Sequence, residues 1–197
     1  AVGSTATDRA RNTVAIIGEC YIQGTILTKN FHLQFTSGFH CFKSVHCDVE
    51  KRLVQEKGQL HPGAADMLRQ LASDGWTLGI CSNAPAWYPE VILTGAGVRD
   101  LFAQIRVPRR PEQTKSMMLC EVWNELHPER CVMVGDRADD MRAAHAAGFL
   151  AIGAAYGWAP DELKHADVLV HAITDIPALL AGQGAVATPQ DVPADVA

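Results

Sequence analysis

Short apolar runs rich in β-branched residues alternate along this chain with longer stretches whose apolar positions recur at helical spacing. The first run, TVAIIG from Thr13 to Gly18, has polar sequence before it and a glycine at its end, and it predicts the first, central strand. Pro62 and Gly63 open a stretch with Ala64, Leu68, Leu71 and Ala72 on one helical face, and Gly75 stands where a helix ends. A second strand is predicted over Thr77–Ser82, a helix over Tyr88–Ala96 and a third strand over Phe102–Val107. Met117, Met118, Cys120, Val122 and Leu126 mark a helix over Thr114–Leu126, stopped by His127-Pro128. CVMVGD (131–136), DMRAAHAAG (140–148) and LAIGAAYG (150–157) then read as strand, helix and strand. VLVHAI adds a last strand and IPALLA a last helix.

Strand and helix in this rhythm predict a parallel sheet covered on both faces, the doubly wound α/β class. The frame is one domain over 13–181, with an N-terminal extension (1–12), a short insert (28–60) and a tail (182–197). Thr28–Val49 holds aromatics and histidines without a period. The tail is rich in Ala, Gly, Pro and Val, and is expected to order only on a partner.

Composition narrows the classes further. With 197 residues, 48% hydrophobic and 20% charged, the chain can bury a real core. Its net charge of −5 argues against nucleic acid, since only Arg106, Arg109 and Arg110 approach a basic cluster. No apolar run reaches the ~18 residues of a membrane span. The six cysteines read as reduced thiols of an intracellular compartment, and residues 1–12 lack the apolar core of a secretory signal, so cytoplasmic and mitochondrial origins both stay open.

In an open parallel sheet, ligands sit beyond the carboxyl ends of the strands. There the sequence places Ser82-Asn83 after the second strand and Asp136, with Asp140, after the fourth, while Lys115 lies between them in the chain. In their contexts GICSNAP and VMVGDRADDMRAAHAAG these residues resemble the haloacid dehalogenase (HAD) superfamily, most closely its phosphoglycolate-phosphatase-like branch. The likeness runs from about Thr13 to Leu180. It implies a HAD-like (Rossmannoid) sheet and magnesium-dependent phosphatase chemistry through an aspartyl nucleophile. Ser82, Asn83 and a cation would hold the phosphoryl oxygens, and Asp136 and Asp140 would hold Mg²⁺ directly or through water. Arg110, in RRPE, falls near where many relatives place Lys-Pro, so the cation is either Lys115 or Arg110. The short stretch between Thr25 and His61 implies a capless fold or a minimal cap.

The first motif departs from the pattern. Where active members carry DxDGT, this chain reads GECYIQGTIL. Alignment on Gly24-Thr25 puts Tyr21 at the nucleophile and Gln23 at the general acid. A phenol with a pKa near ~10 and an amide cannot perform those roles at neutral pH. Alignment on the strand puts Glu19 at the nucleophile instead, its extra methylene shifting the attacking oxygen by about a bond length. The leading expectation is therefore a catalytically inactive accessory subunit of a larger assembly, docked through 28–60 and the tail, with no cofactor beyond Mg²⁺ retained by the acidic pair. The alternative is a weak phosphohydrolase of a small metabolite, with Glu19, Ser82, Lys115 and Asp136 as its site. A third reading is a module that binds a phosphate ligand without turnover.

Plainer roles compete for several of these residues. Asp136 and Asp140 also suit a helix N-terminus and Ser82 an N-cap. His40, Cys41, His46 and Cys47 fit zinc spacing poorly. Phe31, Phe35, Phe39 and Phe42 mark the insert as a docking surface, the four tryptophans read as core or edge packing, and Trp87 is placed to fill the pocket.

Overall fold

All five positions of β1 (Thr13–Ile17) are buried, and alternation sends them to two different cores. Ala15 and Ile17 pack with Leu68, Leu71, Ile80 and Ile176 on one face, and Val14 and Ile16 pack with Met118, Leu119, Met133 and Met141 on the other. A strand apolar on both faces belongs at the centre of a parallel sheet. The computed structural model describes residues 13–18, 22–23 and 51–182, and places β1 there.

Five further strands complete the sheet: β4 (Thr77–Cys81), β5 (Phe102–Arg106), β6 (Arg130–Gly135), β7 (Leu150–Ala154) and β8 (Val168–Val170). Their order is β5-β4-β1-β6-β7-β8, and every pairing is parallel. Helices α1 (Ala64–Ser73), α2 (Trp87–Gly95), α3 (Lys115–Leu126), α4 (Ala138–Ala146) and α5 (Ile176–Gly182) cover the faces. The doubly wound α/β class is the fold observed.

Element ends follow local chemistry. Gly75 and Gly148 take left-handed φ of 88° and 71° just beyond α1 and α4, as expected of helix C-termini. Thr114 lies outside α3 as its N-cap, and its side chain accepts the Met117 N–H at 3.2 Å. Thr114→Ala is expected to cost about 1 kcal/mol, read as a lower urea midpoint with unchanged slope.

Three features differ from the sequence expectation. Residues 51–57 are helical and bury Val54, and β3 (Gln59–Leu60) pairs antiparallel with β2 (Ile22–Gln23), elements that the sequence pattern did not predict. Two-residue strands are too short to leave a hydrophobic period. Trp158 is 49% exposed rather than packed in the core. Trp87 meets Tyr88 edge-on and packs on the core instead of filling the pocket. Among the described residues, no helix is long and apolar enough to cross a membrane. His40, Cys41, His46, Cys47, the four insert phenylalanines, the 1–12 extension and the tail beyond Gly182 lie outside the described residues.

Candidate active site

Three strands end side by side at the sheet centre. β1 leads to Gly18, β4 to Ser82 and β6 to Asp136. Gly18 donates its N–H to the Val134 carbonyl at 2.7 Å, which holds the exit of β1 against β6.

Asp140, one turn into α4, organises this corner. One carboxylate oxygen accepts the backbone N–H groups of Asp136 and Arg137, each at 3.1 Å, and the other takes the Lys115 ammonium at 2.5 Å. Asp140 is 1% and Lys115 8% exposed, so each is the countercharge that makes the other's burial tolerable. Burial alone would lower the Lys115 pKa, but the Asp140 charge and hydrogen bond outweigh it and hold it above its ordinary value. Lys115 thus stays an ammonium. It is the first residue of α3, which begins at the carboxyl-end side of the sheet.

Asp136 accepts the Trp158 N–H on one oxygen at 2.7 Å. Its other oxygen accepts no hydrogen bond among the described residues, and Asp136 lines a cleft of about 510 Å³ with Lys115, Asp140 and Asn83. Arg137, Asp139, Arg142 and Glu162 form the rest of the wall, so the described lining is wholly polar or charged. Asn83 reaches across it, its amide donating to Asp139 at 3.2 Å. Ser82 is buried beneath, its hydroxyl oxygen accepting the Ala84 N–H at 2.9 Å, an arrangement that also suits a turn.

Five residues singled out from the sequence are therefore gathered in one place: Ser82, Asn83, Lys115, Asp136 and Asp140. Arg110 is exposed and absent from the cleft wall, so of the two candidate cations Lys115 is the one placed there. Glu19 and Tyr21 lie outside the described residues, and Gln23 is placed by its backbone alone.

The structure adds residues that sequence reasoning missed. Glu162 accepts the Arg137 guanidinium N–H at 3.0 Å and the Ala138 backbone N–H at 3.1 Å, tying the loop after β7 to the start of α4. Those two hydrogen bonds, the backbone one foremost, hold its carboxyl below the ordinary carboxylate range. Gly157 leaves no room for a Cβ, which would fall on the Asp136 carboxylate. Arg137 stands inside GDRADD and was legible as a neighbour of the motif. Glu162 had no local signal.

Cys81 and Cys131 are buried thiols, each pushed up to about 12 by burial, and neither is suited to nucleophilic work. No group of three or more His, Cys, Asp and Glu side chains among the described residues is arranged around a common metal position.

Comparison with known proteins accords with this geometry. The sequence matches the haloacid dehalogenase-like hydrolase family over residues 20–148. Phosphoglycolate phosphatase of Yersinia pseudotuberculosis is 32% identical over 137 residues, which make up 65% of this chain and 59% of that protein. The chain thus spans well under two thirds of that relative's length. Among solved structures, CbbY from Rhodobacter sphaeroides in complex with phosphate is similar with a TM-score of 0.62 and 22% identity, over 74% of this chain and 70% of that one. A haloacid dehalogenase-like family protein from Streptococcus pneumoniae gives 0.65 at 15% identity, over 86% and 99% of the two chains. At such identities the structural likeness is one of fold.

Proposed function

Because the chain belongs to the haloacid dehalogenase-like hydrolase family, on its phosphoglycolate-phosphatase-like branch, we propose that it hydrolyses the phosphate monoester of a small metabolite. This reverses the leading sequence expectation of an inactive accessory subunit. The observation that carries it is the buried Lys115–Asp140 pair beside Asp136, at the mouth of a polar cleft where three strands end. A fold that needed no anion there would be served as well by apolar residues, since replacing a buried ion pair with packed hydrophobes is often neutral or stabilising.

The phosphoryl group sits against Ser82, Asn83 and Lys115, whose ammonium offsets the charge on its oxygens as they develop in the transition state. Asp140 fixes that ammonium and the Asp136 and Arg137 N–H groups in advance, so little reorganisation remains for the reaction. Glu19, one peptide link beyond Gly18, is the first carboxylate after β1. In this reading its oxygen forms a bond to phosphorus as the ester oxygen leaves, and water then cleaves the acyl phosphate. Tyr21 and Gln23 take no part in bond making.

The donor set also fits Mg²⁺. Asp136 offers one hard oxygen free of hydrogen bonds among the described residues, whereas both Asp140 oxygens are engaged, so Asp136 and not Asp140 would hold the ion, with waters and substrate completing the shell. Bound there, it would supply charge neutralisation at the phosphate.

The test is turnover of p-nitrophenyl phosphate with Mg²⁺ by the whole chain. Asp136→Asn and Glu19→Gln are each expected to lower kcat by about 10² or more. Unchanged rate in Glu19→Gln removes Glu19 from the mechanism. A silent parent that still binds inorganic phosphate would return the protein to the binding-module reading, and one that does neither to the accessory-subunit reading, which the Tyr21 and Gln23 positions favour.

A further inference from the structure

The cleft has a buried floor and an exposed rim. The Lys115 and Asp140 side chains are 8% and 2% exposed, whereas those of Arg137, Asp139, Arg142 and Glu162 run from 40% to 67%. With the phosphoryl group on the floor, the leaving group of an ester lies against that rim. Two guanidinium groups and two carboxylates there sum to zero charge, and no described lining residue is apolar or aromatic. A hydrocarbon or flat aromatic substituent would take these groups out of water and return no hydrogen bonds.

On this rim the carboxylates are the anchored members of each ion pair. Glu162 accepts the Ala138 backbone N–H at 3.1 Å besides the Arg137 Nε–H at 3.0 Å, and Asp139 accepts the Asn83 amide at 3.2 Å on one oxygen while the other faces Arg142 at 3.5 Å. An anionic substituent would have to lie beside a held carboxylate or displace it from its arginine. A hydroxyl meets no such obstacle. Both hydrogen bonds to Glu162 fall on Oε2, so its Oε1 and the two terminal nitrogens of Arg137 have no hydrogen-bond partner among the described residues. A hydroxyl group both donates and accepts, and can give its O–H to Oε1 while accepting from the guanidinium. The pair is set in place beforehand, since Asp140 holds the Arg137 backbone N–H and Ala138 holds Glu162.

We propose that the Arg137–Glu162 pair is a hydroxyl-recognition subsite and that the leaving group of the substrate is neutral and polyhydroxylated, an inference that rests on the hydrolase reading above. The pair takes no part in bond making at phosphorus. It orients the ester while the phosphoryl group sits against Ser82, Asn83 and Lys115. The Asp139 carboxylate and the Asn83 amide add an acceptor and a donor to the same wall for further hydroxyls.

The test compares kcat/KM, with Mg²⁺, for three six-carbon esters: sorbitol 6-phosphate, hexyl phosphate, which lacks the hydroxyls, and 6-phosphogluconate, which adds a carboxylate. The parent is expected to favour sorbitol 6-phosphate over each of the others by about 10-fold or more. Glu162→Gln exchanges the open acceptor for a donor, and Arg137→Lys replaces the planar fork by a single ammonium. Each is expected to reduce the preference over hexyl phosphate to about 3-fold or less, with a urea midpoint near that of the parent to show that it folds. The ranking by the parent decides even where a variant does not fold. A parent that turns over p-nitrophenyl phosphate but ranks the three esters equally, or prefers the alkyl chain or the carboxylate, overturns the subsite and leaves the hydrolase reading in place. So does a preference that survives in both variants. A parent silent on every ester, p-nitrophenyl phosphate included, overturns the two together.

Discussion

Lys115→Met is expected to lower the unfolding free energy by about 3–5 kcal/mol, because it strands the Asp140 carboxylate in the interior. Asp140 is 1% exposed and has no other cationic partner among its contacts, so nothing within the described residues replaces the lost ammonium. The check is a urea titration of parent and variant at pH 7 with a common slope. Adding Asp140→Leu to Lys115→Met removes the stranded charge, and the double variant is expected to recover part of the loss, a coupling that a double-mutant cycle reads directly. Full additivity of the two changes would mean that the pair contributes nothing to the fold. The pH dependence has a definite sign. The Lys115 pKa is raised on folding above its ordinary 10.5, so its contribution is complete below that value and is lost as pH climbs through the higher folded one. The parent therefore loses stability in strong alkali that Lys115→Met does not have to lose.

Gly135→Ala is the second large effect. Gly135 closes β6 with its Cα directly over the Asp140 side chain, and an added methyl would coincide with the Asp140 Cβ, Cγ and carboxylate oxygen. The obstacle cannot swing away cheaply, since that carboxylate is held by two backbone N–H groups and Lys115. Overpacking costs about 1–3 kcal/mol in a rigid core, and displacing Asp140 adds the loss of its hydrogen bonds. The expected outcome is a fall of about 3 kcal/mol or more in unfolding free energy, together with loss of phosphate-ester turnover. Gly95→Ala is the control: nothing lies within 4 Å of its added Cβ, and at the end of α2 it should be neutral or stabilising by up to ~1 kcal/mol. Equal stability of Gly135→Ala and Gly95→Ala would show that the strand end yields without cost.

Most of the architecture was legible because it rests on short-range patterns. TVAIIG announced a strand by its β-branched residues, and Pro62-Gly63, Gly75 and Gly148 marked helix ends by turn chemistry that acts over two or three residues. Many predicted and observed ends differ by one or two residues, as at Trp87 and Arg130, but β7 and β8 each stop three residues short of the runs LAIGAAYG and VLVHAI. GDRADD pointed to its own place, because Asp136 and Asp140 share a strand-to-helix turn. The β2–β3 pair and the helical residues 51–57 were not legible, one being too short for a period and the other adjoining an aperiodic stretch.

Charge pairing followed a different rule. Lys115 and Arg110 could not be ranked from sequence, and only the packing of α3 against α4 decided for Lys115, across a separation of 25 residues to Asp140. Glu162 reaches the start of α4 from 24 residues away with no motif around it, and the His61 ring meets that of Tyr156, far along the chain. The sequence by itself determined the α/β class, the strand ends at which chemistry belongs and the carboxylate turn, since periodicity and turn propensity are local properties of the chain. Which cation is buried and which carboxylate oxygen stays open were decided by the tertiary structure alone, because desolvation and ion pairing depend on distances between elements that no local pattern encodes.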